Sequence, residues 1–339
     1  MRAMVLPDYK AVLEPAELPD PVPPPGGAVV QVAAAGVCHS DLHLIDGEIP
    51  MIPAFPWVLG HEVAGYVAAV GDGVRSVRPG DAVAVFGGWG CGACRFCLGG
   101  EEQLCDVSRW AGIGAQGAYA EYIAVPGERH LVPLQGLDPV QAAPLTDAGL
   151  TPYRALRKVL PLLGPASHLV TIGAGGLGQY GVQYAGALSP ARTIVVETAA
   201  DKRAQAHALG AHVVLDPTGP DVVREIHDLT EGRGAAAVID FVGSDDTLAL
   251  AAQVVGAAGR IVVVGIAGGA LPVSFLGLPV EVEVMTSYWG SRNELADVVA
   301  LAQYGKLHSP LTEYPLTEAN AALDDLRRGK VAGRAVLIP

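Results

Sequence analysis

The sequence predicts a two-part α/β chain, a β-rich first part followed by parallel βαβ units. Three observations predict it. Up to residue 148, short runs rich in Val and Ala (28–34, 63–70, 82–86) are cut by Pro and Gly clusters at 21–27 and 78–81. Short strands of an irregular β region read this way. From residue 149 the rhythm becomes strand, glycine turn, helix, and parallel strands need such crossovers. From about 291, one helical stretch (294–304) and a short tail complete the chain, so the expected segments are 1–148, 149–290 and 291–339.

The elements follow in order. Residues 168–172 read as a buried strand and 177–187 as a helix; 193–196 is a second strand, with a helix over 202–209. Apolar runs at 213–215, 236–239 and 260–264 continue the alternation at similar intervals.

Composition narrows the function. Among 339 residues, 50% are hydrophobic and 17% charged, enough apolar material for packed cores in two domains of ordinary size. The net charge of −13 argues against nucleic acid or anionic membrane as partners. The most apolar stretch, 261–270, is about half of what a membrane helix needs, and Asp8 and Lys10 interrupt the opening run, so neither a membrane span nor a signal peptide is expected. Five cysteines are too few and too clustered for a secreted disulfide scaffold. The expectation is a soluble protein of the cytoplasm.

Two motifs carry chemistry. Gly173, Ala174, Gly175, Gly176, Leu177 and Gly178 follow the strand at 168–172 as G-x-G-x-x-G and open a helix. Such a turn lets a pyrophosphate approach the backbone and presents free amides to it. Glu197 ends the next strand, 19 residues after Gly178, where a carboxylate accepts hydrogen bonds from the adenosine ribose and repels a 2′-phosphate, favouring NAD over NADP. The second motif is Cys91, Cys94 and Cys97, with Cys105 after a gap of seven residues. Four thiolates can close the tetrahedral shell of a structural zinc. The bacterial iron–sulfur run instead continues with a shorter gap and Cys-Pro, whereas Asp106 follows Cys105. The fifth cysteine, Cys38, and His61 can supply two of the three protein ligands of a catalytic zinc with an open position.

With these motifs in this order, the chain resembles the zinc-dependent medium-chain alcohol dehydrogenases over nearly all its length. The resemblance rests on Cys38-His39-Ser40-Asp41, Gly60-His61-Glu62, the four-cysteine lobe and Gly173 to Gly178. It implies a chaperonin-10-like β catalytic domain with a zinc lobe at 88–106, interrupted by a Rossmann doubly wound parallel sheet, to which the chain's last segment does not belong: that segment returns to the first domain. Cys38 and His61 hold the catalytic zinc. The third ligand is a cysteine in many members; here Asp147 stands in its place, as in a bacterial and archaeal branch of secondary-alcohol dehydrogenases and carbonyl reductases. By the same resemblance, Glu62 and Asp41 orient the ligands, Ser40 takes the alcohol proton, and the ribose passes it on to His43 at the surface. Thr151 touches the nicotinamide, and Val242, Val264 and Ile266 surround it. Lys202 lies near the adenosine ribose, Arg334 contacts the pyrophosphate, and His39 replaces a frequent arginine in that role. Tyr288 and Trp289 line the substrate pocket. The implied cofactors are two zinc ions and NAD, and the implied substrate a primary or secondary alcohol with its aldehyde or ketone. A polyol or formaldehyde dehydrogenase is the alternative, and a homodimer or homotetramer the expected assembly. Zinc-free reductases of the same build lack these metal ligands.

Overall fold

The protein is described by a computed structural model covering residues 1–219 and 221–339. They form two compact units, Met1–Leu150 with Gly290–Pro339, and Thr151–Trp289.

The first unit is built on a seven-stranded sheet. At its centre lies Ala28–Val37, whose sequence AVVQVAAAGV exposes only Gln31 to solvent. An almost unbroken small apolar run suits a strand covered on both faces. Glu62–Val70 pairs antiparallel along its length, from Ala28↔Val70 to Gly36↔Glu62. On its other edge, Tyr122–Val125 pairs with the first half of Ala28–Val37, and Arg334–Ile338 with Ala35 to Val37. A smaller sheet joins Glu14–Glu17, Arg2–Leu6 and Trp57–Val58.

The segment after residue 291 is therefore more than a helix and a tail. Beyond the helix Arg292–Gln303 come the strand Leu311–Pro315, the helix Ala319–Arg327 and the strand Arg334–Ile338, which pairs on both sides. Ala335, Val336 and Leu337 are buried. One of this last strand's partners, Leu311–Pro315, lies just before it in the chain, but the other, Ala35 to Val37 of the central strand, lies some 300 residues earlier.

The second unit is a six-stranded parallel sheet in the order Val213–Leu215, Arg192–Val196, His168–Ile172, Ala235–Asp240, Val255–Val263, Glu283–Thr286. Numbered along the chain this is 3-2-1-4-5-6, the doubly wound order, whose direction reverses between the first and fourth strands. Alternation within each strand serves both faces. Ile194 and Val196 join one core with Val170, Ile172, Val238 and Leu250, while Val195 joins the other with Val182 and Ala206. The glycine turn leads into the helix Gly178–Leu188. Val255–Val263 begins five residues earlier than the sequence predicts, because its Val-Gly-Ala-Ala-Gly start looks like a break. The helices Val222–Leu229 and Asp245–Val254, and the edge strand Glu283–Thr286, were not anticipated.

Leu337 is fully buried in the returning strand. Truncating such a side chain costs about 2–5 kcal/mol. Leu337→Ala is expected to lower the unfolding transition of the first unit by that amount in urea titration. A change below about 0.5 kcal/mol would show that the strand does not carry the sheet.

Candidate active site and metal centres

Three separate stretches of the first unit converge on one buried spot. The central strand ends at Val37, and Cys38 caps the helix His39–Ile45 in extended backbone. At the third helical position, Asp41 reaches back to accept the Cys38 N–H at 3.0 Å, half of a capping box. His61 immediately precedes the neighbouring strand Glu62–Val70, which Glu62 begins. Asp147 follows the short helix Ala143–Thr146, which Thr146 ties to that strand: its Oγ1 accepts from Val63 N–H at 3.0 Å and donates to Ala143 C=O at 2.8 Å.

The donor atoms of Cys38, His61, Glu62 and Asp147 all lie within 4.8 Å of one another, and all four residues are buried. Asp147 Oδ2 stands 3.6 Å from Cys38 Sγ and 3.4 Å from His61 Nε2. Tetrahedral zinc with ordinary Zn–S, Zn–N and Zn–O lengths separates such pairs by about 3.5 and 3.3 Å. Glu62 Oε2 is buried with no hydrogen-bond partner, as suits a group facing a cation. A thiol, an imidazole and a carboxylate are a zinc donor set, and the residues fit that ion.

Electrostatics agree. Burial opposes a charged His61, yet the Asp41 and Asp147 carboxylates outweigh it and hold the imidazole well above its ordinary pKa. Asp41 Oδ1 faces His61 Nδ1 at 3.3 Å, which leaves Nε2 toward Asp147. Glu62 is pushed up to about 6, chiefly by burial, against the pull of the Arg334 guanidinium. Arg334 Nη2 pairs with Glu62 Oε1 and donates to Val37 C=O at 3.1 Å. Gly36, opposite Glu62, makes room: a Cβ there would stand 1.9 Å from Glu62 Oε2.

The remaining predicted residues of this unit sit on one helix. Ser40 Oγ is 3.8 Å from Cys38 Sγ. His43, one turn on, meets Glu48 Oε2 through Nδ1 at 2.5 Å, and His39 is exposed.

The four-cysteine lobe is a second donor cluster, again with all sulfurs within 4.8 Å. Backbone N–H groups of Ala93 and Cys94 point at Cys91 Sγ, at 3.5 and 3.4 Å, and lower that thiol to about 6. Burial first, and neighbouring thiols after it, push Cys97 up to about 12. Glu102 and Arg129 clamp the neck of the lobe: Gly90 N–H donates to Glu102 Oε2 at 3.1 Å, and Gly90 C=O accepts from Arg129 Nη2 at 3.0 Å.

In the second unit, Gly173 takes φ +88, and a Cβ on Gly178 would lie 2.0 Å from Gly173 O. A Cβ on Gly175 would meet nothing within 4 Å; Gly176 and Leu177 complete the turn. The Glu197 carboxylate is turned onto this loop, accepting from Ala174 N–H at 2.7 Å and Ala199 N–H at 2.9 Å. Oε1 also accepts from Thr198 Oγ1 at 3.2 Å, so Oε2 is the oxygen that keeps a further lone pair for a ribose hydroxyl. Lys202 is half-buried. The cation that grips this strand end is Arg203, unforeseen, bound to Glu197 C=O at 3.0 Å and to Asp216 at 2.9 Å. Val242 and Ile266, at the C-terminal rim of the sheet, are exposed and Val264 half-buried, while Thr151 is buried in the helix Leu150–Val159. Tyr288 is exposed and Trp289 buried at φ 47, their rings 6.5 Å apart.

The chain matches two family profiles: alcohol dehydrogenase GroES-like domain over residues 24–136 and zinc-binding dehydrogenase over residues 176–303. It is similar to the NAD-dependent alcohol dehydrogenases of Sulfurisphaera tokodaii (40% identical) and Saccharolobus solfataricus (39% identical), each aligned over 100% of both chains. Among solved structures it is similar to the alcohol dehydrogenase of the hyperthermophilic archaeon Aeropyrum pernix, with 34% identity, a TM-score of 0.93 and 100% of both chains covered.

His130, beside the lobe's neck, yields a pH prediction. Burial, with Arg129 and Arg292 adding to it, pushes His130 down to about 3. Glu102 Oε2, 3.8 Å away, is committed to Gly90. The folded chain thus binds fewer protons than the unfolded one between the ordinary value, about 6.5, and about 3. Stability present at pH 7 is lost as the pH falls below 6.5, by about 2 kcal/mol on reaching pH 5. In urea titrations across this range, His130→Gln should flatten that fall relative to wild type. Parallel profiles would mean that His130 titrates normally.

Proposed function

The chain belongs to the zinc-binding alcohol dehydrogenase family, and from that premise we propose that it moves hydride reversibly between a primary or secondary alcohol and NAD. The observation that carries this reading is the buried convergence of Cys38, His61 and Asp147 at zinc spacing.

Zinc at that spot supplies polarisation of the alcohol oxygen, lowering its pKa, and NAD supplies the hydride acceptor. The chain's residues do the rest. Cys38, His61 and Asp147 hold the metal, while Asp41 fixes the His61 ring through Nδ1, as carboxylates do behind metal-bound histidines. Glu62, held back by Arg334, stays beside the ligands as a reserve donor. Ser40 relays the alcohol proton, taking it up as it gives its own to the cofactor ribose, and His43, backed by Glu48, releases it to solvent. Gly173 to Gly178 seat the pyrophosphate on the N-terminus of the helix Gly178–Leu188. The roles of His39, Thr151, Lys202, Arg334, Tyr288 and Trp289 toward cofactor or substrate rest on the family resemblance alone. The lobe of Cys91, Cys94, Cys97 and Cys105 takes a structural zinc, with no position left for a substrate.

No helix among the described residues is long and apolar enough to cross a membrane. Five free cysteines suit a reducing cytoplasm, where thiols stay available to metal. Pairing with a second copy has support in the second unit. Glu283–Thr286 is an edge strand, and before it Val273, Phe275, Leu276 and Val280 are 65%, 89%, 92% and 64% exposed. An apolar edge of this kind is normally covered.

An alcohol panel followed by NADH absorbance tests the activity. Elemental analysis should find two zinc ions per chain, and Asp147→Ala should lose one of them and all turnover while still binding NADH. Full zinc with retained turnover would remove Asp147 from the site.

Cofactor choice rests on Glu197. A hydrogen bond to a charged group is worth about 1.5–3 kcal/mol, so NAD should exceed NADP by about 10- to 100-fold in kcat/KM. Glu197→Gln, which keeps an acceptor for only one of the Ala174 and Ala199 amides and drops the charge, should narrow the ratio to below about tenfold. Equal use of both cofactors by the wild type would mean that Glu197 serves the glycine loop only.

A further inference from the structure

Asp41 has a second partner that the reaction scheme leaves unused. Tyr119, fully buried, donates its hydroxyl to Asp41 Oδ2 at 2.8 Å. The same oxygen accepts the Cys38 N–H at 3.0 Å, while Oδ1 lies 3.3 Å from His61 Nδ1, within ion-pair distance. With two donors on one oxygen, the carboxylate is turned so that the other meets the imidazole. One carboxylate thereby grips the backbone of one metal ligand and the ring of another, and Tyr119 sets its orientation. We propose that Tyr119 is a positioning residue of the catalytic metal site, acting on His61 and Cys38 through Asp41. This rests on the reading of Cys38, His61 and Asp147 as the metal ligands.

Local architecture holds the phenol to this task. Gly117 N–H donates to Val58 C=O at 2.8 Å, Tyr119 N–H to Leu59 C=O at 2.9 Å and Ala118 N–H to Gly60 C=O at 3.0 Å. The segment bearing Tyr119 is thus laced to the three residues just before His61. Its ring lies against Gly60, where a Cβ would stand 2.5 Å from Tyr119 Cδ1. At φ +96, Gly60 both makes the turn into His61 and admits the ring. A phenol is needed for the last contact, because phenylalanine would fill the space and leave Asp41 Oδ2 with the Cys38 amide alone. Burial, reinforced by the Asp41 charge, holds the Tyr119 hydroxyl well above its ordinary pKa, so it remains a donor at any working pH.

The test is cobalt binding at the catalytic site of the full chain, with zinc left in the cysteine lobe. Affinity is read by chelator competition and ligand geometry by the visible d–d absorption. Removing a group that orients metal ligands weakens binding by about 10- to 100-fold, and Tyr119, one bond further out, is expected at the tenfold end. Tyr119→Phe should therefore bind cobalt about tenfold more weakly and shift the visible bands, with NADH binding unchanged. Asp41→Asn should weaken binding as well, and adding Tyr119→Phe to it should cost less than a further twofold, since the two act in series. Cobalt affinity within twofold of wild type and unshifted bands in Tyr119→Phe would overturn the proposal, whatever the melting temperature. Independent, additive losses in the double variant would overturn the route through Asp41. A wild type that takes up no cobalt outside the lobe would overturn the ligand assignment itself.

Discussion

Burying carboxylates is costly unless each is paired, and the first unit buries three of them beside a thiol. Asp41, Glu62 and Asp147 lie with Cys38 and His61 at the end of two strands made mostly of Val, Ala and Gly. Each charge has its own remedy, and each remedy draws in a different part of the chain. Glu62 is met by Arg334, so the last strand must return to the central one. Asp41 is met by His61 and Tyr119, so the segment around residue 119 must lie against residues 58–60. Cys38 and Asp147 face one another across the space of a metal ion, and a dication there neutralises what the protein leaves uncompensated. The architecture of the unit can be read as the set of connections that this cluster demands.

Small residues make the cluster possible. Gly36 gives Glu62 its space and Gly60 gives Tyr119 its own, so two glycines, one in the central strand and one in the turn before its neighbour, determine how closely the charged groups approach. A methyl group at either position would push a buried carboxylate or its donor out of register, and in a low-dielectric interior a lost partner costs far more than a lost contact. In the second unit Glu197, at the end of its strand, is bound to the glycine loop, so the groups expected to recognise ribose and pyrophosphate form one hydrogen-bonded piece.

What was legible in the sequence was local. The glycine turn and the strands beside it are short-range patterns, and the two helices expected there appear within a few residues of the expected bounds, as Gly178–Leu188 and Ala200–Ala208. The cysteine lobe is equally local, four ligands within one loop and a short helix. The ligands Cys38 and His61 stood out by residue type, and Asp147 only through the family resemblance, because nothing in Leu-Thr-Asp-Ala marks a metal ligand. Arg334 was expected at a phosphate, and the structure shows its pairing with Glu62. Thr146, Tyr119 and Arg203 went unnoticed: a threonine, a tyrosine and an arginine are common residues whose roles depend on what lies opposite them.

By itself the sequence determined the fold class, the dinucleotide loop, the closed cysteine site and the types of donor available for a second metal. Each is encoded in spacing over a handful of residues, where backbone geometry leaves few alternatives. Only the tertiary structure decided how those donors are oriented, because apart from the local Cys38–Asp41 contact the orienting contacts join distant positions: Glu62 to Arg334 across 272 residues, Cys38 to Asp147 across 109, Asp41 to Tyr119 across 78. A side chain's partner across such a gap is set by strand register and close packing, which no local pattern records.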